Sequence, residues 1–454
     1  MTSPNLLRVG CGAGFLGDQL DAPRELAEST TLDFLILEHL AELTLSILAQ
    51  QRRKNPEHGF ARDFLEILES LAPALRQQPQ LRIVTNSGGM NPIACARAAA
   101  EVLAKHGLEN TTIGVVTGDD LLARADELAP HICHFETGQT LAEAQLPVVS
   151  INAYLGAQGI QQALDRGARI VITGRVADAS LTVGPAAHHF GWSLDDIPRI
   201  AGASVAGHLI ECGAQVTGGY SVDWMRSSLA NVGYPIAEIA PDGSCVITKP
   251  AGSGGIVDRL SVTEQLVYEI GDPAQYFTPD VVCDFTSVEL EELGDDRVAV
   301  RGASGTAAPQ KLKVSLAYQQ GYALQGQLLV AGNDAAEKAR EVVKLIEARL
   351  MRVARLPSRY LVEYLGSGES LSGMSTGHGR ELVVRISAAD ADSQILERLA
   401  RELAPLITSG PAGIAGYAAG RPQVREVMAY WPALIERQFV AAEVAVKTAA
   451  EWRR

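Results

Sequence analysis

His208 and Glu211, which lie three positions apart, form the clearest pair of titratable groups in the sequence. Residues at i and i+3 share one face of a helix, so a helix here would bring the two side chains together. Such a pair can serve general acid–base catalysis or supply half of a metal site. The segment reads HLIEC and lacks the H-E-x-x-H spacing of zinc hydrolases. The alternative is a structural histidine that is bonded to the carboxylate.

Two aspartates, Asp119 and Asp120, follow the predicted strand TTIGVVTG. Carboxylates at a strand end can act as a base or coordinate magnesium. Asp119 is therefore a candidate catalytic residue. The alternative is that Asp120 only caps the helical segment LLARADEL that follows.

Arg175 and Asp178 follow the predicted strand RIVIT. An arginine at this position can bind a carboxylate or a phosphate through two parallel hydrogen bonds. It can equally pair with Asp178 and close the turn. Asn152 and Tyr154 end the preceding strand, and we expect them to face the same crevice.

The spacing Gly12-x-Gly14-x-x-Gly17 follows the strand candidate LLRVG and matches the turn that binds the pyrophosphate of a dinucleotide. Glu38 ends the next strand candidate, where an acid would bind a ribose hydroxyl. Asp18 argues against this interpretation because its charge would repel a pyrophosphate. The alternatives are a tight turn that requires small residues and a turn that contacts some other ligand.

The turn after the strand candidate LRIVT contains four candidate ligand-binding residues, namely Asn86, Gly88, Gly89 and Asn91. Two glycines before a helix N-terminus can form a nest of backbone N–H groups for an anion. Asn91 also suits the helix cap, with Pro92 at the first helical position. A simple capped turn is therefore an equal alternative.

Lys249 precedes the glycine-rich run GSGG, which contains Gly254. The run lacks the G-x-x-x-x-G-K-[ST] order of a P-loop. One interpretation is that this lysine and the flexible loop contact a phosphate or carboxylate. The other is a glycine-rich hairpin with no ligand.

Short apolar runs alternate with helical patterns through residues 1–190, which predicts an α/β fold with a mostly parallel, Rossmann-like sheet and helices on both faces. Residues 191–324 read as a loop-rich continuation, or inserted subdomain, that completes the core. The order β-α-β-β-α within residues 325–454 predicts a C-terminal α+β domain, ferredoxin-like in type. Because parallel strands end at one edge of a sheet, we expect the polar turns to share one crevice.

The chain has 454 residues, a formal charge of −14, 43 glycines and six cysteines. The acidic balance argues against a nucleic-acid-binding protein, and no apolar run is long enough to predict a membrane span. The wide cysteine spacing fits neither a disulfide framework nor a zinc finger, which favours the cytoplasm. Average usage would give about 32 glycines. The excess falls largely in turns, which indicates a small anionic ligand held by local donors.

Taken in order, the motifs resemble the acyclic terpene utilization family, AtuA. The resemblance is carried from about residue 8 to about residue 322 by GCGAGFLGD, TNSGGMNP, VTGDD, ITGRVADASL, GHLIECGAQVTGG, DGSCVITKPAGSGG and EQLVYEIGDPAQYFTPDVVCDF, and more weakly by TSGPAGIAGYAAGRP. That family is tied to bacterial growth on citronellol- and geraniol-type terpenes, whose carbon is processed as branched acyl-CoA thioesters. The resemblance implies a catabolic protein that acts on an acyl-CoA or carboxylate intermediate.

The first functional hypothesis is a lyase or hydratase of branched acyl-CoA catabolism. Arg175 or Lys249 would bind the anion, and His208 with Glu211 or Asp178 would move protons. The second is an NAD(P)- or flavin-dependent oxidoreductase that uses the N-terminal glycine turn. The third is a non-catalytic subunit that binds an acyl-CoA or organises pathway enzymes.

The partners implied by these hypotheses are few. Longer relatives carry an extra small domain, so we expect a small partner subunit, and we also expect a homo-oligomer. We expect no nucleic acid and no membrane partner. The residues specify no particular cofactor and no metal ligand set.

Overall fold

The computed structural model of the protein describes residues 6–368, 379–416 and 420–454. The chain forms two compact units, the first made of Met1–Ala317 with Tyr430–Arg454 and the second of Tyr318–Ala429. The second unit thus begins close to the boundary expected near residue 325, whereas the C-terminal segment belongs to the first unit. Residues 417–419 of the run TSGPAGIAGYAAGRP lie outside the described residues.

The strands within the described residues are, in chain order, β1 (Leu7–Ala13), β2 (Phe34–Leu37), β3 (Arg82–Thr85), β4 (Thr112–Thr117), β5 (Cys133–His134), β6 (Val148–Ala153), β7 (Ile170–Thr173), β8 (Ile236–Ile239), β9 (Cys245–Thr248), β10 (Tyr276–Phe277), β11 (Val282–Asp284), β12 (Glu289–Gly294), β13 (Arg297–Arg301), β14 (Ser304–Thr306), β15 (Lys311–Ala331), β16 (Arg359–Leu365), β17 (Glu381–Asp390), β18 (Ile414–Gly416), β19 (Arg425–Glu436) and β20 (Glu443–Thr448).

The α-helices within the same residues are α1 (Ala22–Ser29), α2 (Glu42–Lys54), α3 (Asp63–Gln77), α4 (Pro92–Lys105), α5 (Ala125–Leu128), α6 (Leu141–Ala144), α7 (Gln158–Asp165), α8 (Ser180–Phe190), α9 (Ile197–Ile210), α10 (Arg259–Leu266), α11 (Ala335–Val353), α12 (Ser393–Leu403), α13 (Leu406–Ser409) and α14 (Ala449–Trp452). None of these described helices combines the length and the apolar character that a bilayer crossing requires.

The first unit is built on a ten-stranded sheet with the order β12-β13-β9-β8-β1-β2-β3-β7-β4-β20. Its centre, β1-β2-β3-β7-β4, is parallel, with Leu35 opposite Ile83 and Val84 opposite Val171. The carboxyl ends of these five strands therefore lie along one edge of the sheet. That edge is where polar turns can converge.

A mixed α/β fold was expected and is confirmed, but the expectation of a mostly parallel sheet is wrong. β8 is antiparallel to β1, the strands β9, β13 and β12 continue in antiparallel fashion, and β20 is antiparallel to β4. Short turns join β8 to β9 and β12 to β13, and a short turn between neighbouring strands produces an antiparallel pair. Gly, Pro and Asp punctuate residues 191–324, so the sequence pattern concealed strands that extend the sheet.

Both faces of the sheet are covered by helices, as expected. Along β2, Phe34 and Ile36 belong to the core that contains α7, α8 and α9, whereas Leu35 and Leu37 belong to the core that contains α1, α3 and α4. Alternate residues of a strand point to opposite faces, so the run FLIL supplies two cores at once. This two-sided burial explains why β2 is apolar throughout.

The second unit contains the expected β-α-β-β-α order, followed by a further strand. β17 is antiparallel to both β15 and β16, and β18 is antiparallel to β15. The helices α11 and α12 pack on this sheet through a core that includes Val342, Ile346, Leu396 and Leu399. The strand order β16-β17-β15-β18 is that of a split βαβ arrangement.

Gly118 places the end of β4 against the segment before β20. It has a φ of +105°, and a Cβ atom here would lie 2.0 Å from the carbonyl oxygen of Ala441. Gly107 has a φ of +68°, but a Cβ there would meet no atom within 4 Å. A side chain at Gly107 would therefore cause backbone strain alone, whereas a side chain at Gly118 would cause both backbone strain and steric overlap.

We expect Gly107→Ala to lower the free energy of unfolding by about 1 kcal/mol, the usual cost of a left-handed alanine. Gly118→Ala should cost about 1–3 kcal/mol more, because the methyl group overlaps the Ala441 carbonyl. Urea unfolding of both variants measures the difference. Equal losses would show that the close approach at Ala441 does not constrain β4.

Candidate active site

Arg175, which follows β7, lies at the centre of a group of polar side chains that we call the arginine cluster: Glu38, Asn86, Asp119, Asn152, Arg175 and Asp178. Its Nη1 lies 2.8 Å from Asp178 Oδ1 and 3.8 Å from Glu38 Oε1, and it donates to the Leu40 carbonyl oxygen at 2.7 Å. The Arg175 side chain is only 3% exposed, whereas that of Asp178 is 35% exposed. Asp178 thus connects a buried charge to the surface. Burial opposes the charge of Arg175, but Asp178, Tyr154, Glu38 and Glu42 together outweigh it and hold the pKa of Arg175 above its ordinary value.

Glu38, at the end of β2, is held by donors from its own strand and from the next. Asn86 Nδ2 donates to Glu38 Oε2 at 2.5 Å, and the Leu40 N–H donates to Oε1 at 2.7 Å. The other end of the Asn86 amide accepts from the His39 N–H at 2.8 Å. Burial, together with the charge of Asp178, raises the pKa of Glu38 well above its ordinary value. Asn86 is therefore engaged within the cluster and positions Glu38.

Asp119, after β4, ties three strand ends together. Its carboxylate accepts from Asn152 Nδ2 at 2.9 Å and from the Arg175 N–H at 2.8 Å. Burial raises the pKa of Asp119 to about 6. A Cβ atom on Gly174 would lie 2.3 Å from Asp119 Oδ1, so only glycine fits beside it. Asp119 thus positions the backbone of Arg175, and its neighbour Asp120 caps the next turn by accepting from the Leu122 N–H.

His208 and Glu211 meet at the end of α9, as their spacing predicted. His208 Nδ1 lies 3.3 Å from Glu211 Oε1, and His208 Nε2 lies 3.0 Å from the Gln265 carbonyl oxygen. A carbonyl only accepts, so Nε2 carries a proton and Nδ1 faces the glutamate. Burial raises the pKa of Glu211 to about 7. Burial also opposes a charge on His208, but Glu211 outweighs it and raises the pKa of His208.

The histidine–glutamate pair and the arginine cluster interact electrostatically. The pKa of Glu211 responds, after burial and His208, to the charges of Asp178 and Arg175. Within the described residues, five buried polar atoms of these two sets lack a hydrogen-bond partner: Arg175 Nε, Asn152 Oδ1, Asp178 Oδ1, His208 Nδ1 and Glu211 Oε2. Asp178 Oδ1 and His208 Nδ1 nevertheless lie in ion pairs, with Arg175 and Glu211 respectively. An unpartnered buried polar atom costs about 1–3 kcal/mol, which a bound ligand or water would recover. The two sets together form our candidate active site.

Tyr154 supports Arg175 from the side. The Arg175 Cζ atom lies 4.0 Å from the centroid of the Tyr154 ring, and the Tyr154 hydroxyl donates to Glu42 Oε1 at 2.5 Å. Lys313 Nζ lies 2.8 Å from the same Glu42 oxygen. Burial opposes the charge of Glu42, but Lys313 outweighs it and lowers the pKa of Glu42 to about 2. Tyr154 and Asn152 were expected in this crevice, whereas Glu42, Lys313 and Gln265 carried no sequence signal.

A comparison with models of protein families assigns this chain to a family. The model of the acyclic terpene utilisation family protein AtuA matches residues 7–446. The chain belongs to the AtuA family. No curated protein and no solved structure matched it. Membership suggests a role in acyclic terpene utilisation and covers both the arginine cluster and the histidine–glutamate pair.

The N-terminal glycine turn of this AtuA-family chain packs on protein. A Cβ on Gly12 would lie 2.9 Å from Pro23 Cα, and one on Gly14 would lie 2.5 Å from the carbonyl carbon of Cys212. The Gly14 N–H donates to Asp18 Oδ2 at 2.8 Å. Asp18 thus occupies the place where a pyrophosphate would bind, and Glu38 is already bonded to Asn86. Neither group is available in the way that the dinucleotide hypothesis requires.

The second glycine turn is also used for packing. A Cβ on Gly88 would lie 2.4 Å from the Thr173 carbonyl oxygen, and Gly89 has a φ of +50°. Asn91 accepts from the Ala94 N–H at 3.3 Å and caps α4, as expected, with Pro92 at its first position. This turn brings the end of β3 against the end of β7, just before Arg175, and its glycines serve the packing of these two strand ends.

Lys249 and Gly254 lie apart from these groups. Lys249 Nζ is buried and pairs with Asp296 Oδ2 at 2.8 Å, and it donates to the Ser253 carbonyl oxygen at 3.0 Å. A Cβ on Gly254 would lie 2.4 Å from the Ser228 carbonyl oxygen. These contacts match the hairpin alternative. Among the residues that the structure describes, no group of three or more His, Cys, Asp or Glu side chains could hold a metal ion.

The raised pKa of Glu211 predicts a pH-dependent stability. In the unfolded chain the group titrates near 4.5, whereas in the folded protein it holds its proton to about 7. Between these values the folded state binds the extra proton, so stability falls as the pH rises. The raised pKa of His208 acts in the same direction. Glu211→Gln stays neutral and should remove the part of this fall that Glu211 contributes, while Glu38 and Asp119, whose pKa values are also raised, keep their own contributions.

Urea unfolding of the wild type and Glu211→Gln across pH 4.5–7 tests this expectation. The advantage of the wild type over the variant should shrink steadily as the pH rises. Glu136→Gln is the matched control because the side chain of Glu136 is exposed. Parallel curves for the wild type and Glu211→Gln would show that Glu211 does not hold a proton in the folded protein.

Proposed function

We propose that this AtuA-family protein is an enzyme that adds water to, or eliminates it from, a branched acyl thioester or carboxylate. The observation that carries the proposal is a buried acid, Glu211, whose pKa of about 7 keeps a proton available at neutral pH. Arg175 and the partly exposed Asp178 lie in the same electrostatic cluster. Addition and elimination at a carbon–carbon double bond require both an acid and a base.

Each group has a distinct place in the proposed reaction. Arg175 Nε, which is buried and unpartnered, would donate to the carbonyl oxygen and stabilise the enolate charge that develops there. Asp178 is the acceptor nearest to solvent and would take a proton from water. The water oxygen then bonds to Cβ of the unsaturated acyl group, and Glu211 returns a proton to Cα. His208 would orient Glu211 and stabilise the carboxylate left behind.

The positive charge of Arg175 also favours a substrate that carries a negative charge or a polarised carbonyl group. Within the arginine cluster, Arg175 has one nearby carboxylate that reaches the surface and another, Glu38, that is buried. A substrate carbonyl or carboxylate at Arg175 Nε would complete its hydrogen bonding. The partners proposed with this function are an acyl-CoA, a second copy of the chain and a small separate subunit.

The direct test uses a panel of 3-methyl-branched 2-enoyl-CoA thioesters in deuterated water, with incorporation of deuterium and oxygen followed by mass spectrometry. Glu211→Gln and Asp178→Asn should each lower kcat by about 10²–10⁴-fold. Activity should fall above pH 7, where Glu211 loses its proton. Glu136→Gln and Asp126→Asn, both at exposed positions, are the matched controls.

Two outcomes would contradict the proposal. Turnover that is unchanged in Glu211→Gln and Asp178→Asn would exclude these residues as the acid and base. Binding of an acyl-CoA without hydration, dehydration or exchange, in the pure protein and in a co-purified complex, would indicate a non-catalytic binding subunit.

A further inference from the structure

A cavity of about 230 Å³ is lined by Cys212, the residue that directly follows Glu211 in the chain. We call it the Cys212 pocket; its walls include Phe15, Cys212, Ala214, Tyr220, Leu229 and Tyr234. They come from the N-terminal glycine turn, the corner after α9 and the segment that leads to β8. The proposed reaction has not used any of these side chains.

The chemistry of the lining favours an apolar occupant. Among the described residues that line the pocket, none is a lysine, arginine or histidine. Asp18 also faces the pocket, but its carboxylate accepts from the Gly14 N–H, the Gln19 N–H and the Tyr234 hydroxyl. Burial raises the pKa of the Cys212 thiol, so it is neutral. The pocket offers no cation to a phosphate or carboxylate, and its one acid is already bonded.

The rim leaves aromatic surface in water. Phe15 is 59% exposed and Tyr220 is 73% exposed, and both line the same cavity. Large apolar groups gathered at a concave surface are typical of a ligand site, because a bound hydrocarbon removes them from water. The exposed rings therefore favour an apolar group as the occupant of the pocket, in contrast to the polar group expected at Arg175.

The position of the pocket relates it to the reaction. Cys212 directly follows Glu211, so their Cα atoms are about 3.8 Å apart. We propose that the Cys212 pocket binds the branched hydrocarbon chain of the substrate while the acyl head group lies at Arg175 and Glu211. This inference rests on the proposed function. The cavity volume equals roughly eight water molecules at ~30 Å³ each, which limits the length of the chain.

Calorimetric titration of the full-length protein with a homologous series, sodium 3-methylbutanoate to 3-methyldecanoate, tests the inference. All members share one head group and differ only in chain length. Each added methylene that enters the pocket should lower Kd up to about fourfold, until the pocket is full. Ala214→Phe should abolish this dependence on chain length, because the larger side chain occupies the cavity.

A second variant keeps the test valid if Ala214→Phe does not fold. Phe15→Ala removes an exposed ring and should weaken binding of the longest member about tenfold while leaving the shortest unchanged. Phe135→Ala is the matched control, since Phe135 is 65% exposed and does not line the pocket. Binding of the series should be unaffected in that control.

The outcomes separate this inference from the proposed function. Measurable binding that does not depend on chain length would overturn the pocket assignment and leave the head-group site intact. A dependence on chain length that persists in both Phe15→Ala and Ala214→Phe would place the chain elsewhere. If neither the carboxylates nor the thioesters bind at all, the proposed function fails and this inference fails with it.

Discussion

Arg175 carries a positive charge that the fold removes from water, and the surrounding residues are arranged to balance it. An unpaired buried charge would cost several kcal/mol. Asp178 comes from the same turn, Glu38 from the end of β2, and the Leu40 carbonyl from just beyond it. The parallel register of β2, β3 and β7 brings these groups to one edge. The need to neutralise one guanidinium therefore explains why three strand ends converge and why Asn86 and Asp119 hold their neighbours in place.

Burial and the same group of charges together explain the proton on Glu211. Glu38, Asp178 and Glu211 all act on Arg175 or on one another, and the single guanidinium cannot stabilise three ionised carboxylates in a buried environment. Glu211 is the member with a neutralising partner of its own, His208, yet burial still raises its pKa to about 7. Availability of a proton near neutral pH is thus mainly a consequence of burial, to which the nearby charge of Asp178 adds. Burial and the neighbouring charges are enough to account for the raised pKa of Glu211.

Sequence reasoning found the groups whose positions follow from local geometry. His208 and Glu211 meet because residues at i and i+3 share a helix face, and Asp119 and Arg175 meet because β4 and β7 are neighbours in one sheet. Asn152 reaches Asp119 from β6, which pairs with β15 in a different sheet. Reasoning of this kind could not find Lys313, which lies far along the chain in β15 and reaches Glu42 only through tertiary packing.

The sequence predicts other features incorrectly for a different reason. The same residue types occur in loops and in the turns between strands, and in ligand sites and in structural contacts. The antiparallel strands β8, β9, β12 and β13 lie in residues 191–324, where frequent turn residues predict only a loop-rich continuation or an inserted subdomain. Glu38 stands where a ribose-binding acid would stand, yet Asn86 and Leu40 already donate to it. Lys249 stands beside a glycine run but pairs with Asp296. For Glu38 and Lys249 the sequence pattern gives the position in the chain, whereas the partner of each side chain emerges only from the fold.

The glycine excess has the same explanation. Gly88 lets the end of β3 approach the Thr173 carbonyl, Gly174 leaves room for Asp119, and Gly14 lets the first turn lie against Cys212. These glycines bring protein backbone close to protein backbone, so their spacing resembles a phosphate-binding turn without providing one. By closing the turn with Asp18, the chain uses the N–H groups that would otherwise attract an anion. What remains at the residue after Glu211 is a cavity with aromatic and aliphatic walls and no cation among its lining residues, which suits a hydrocarbon chain better than a nucleotide.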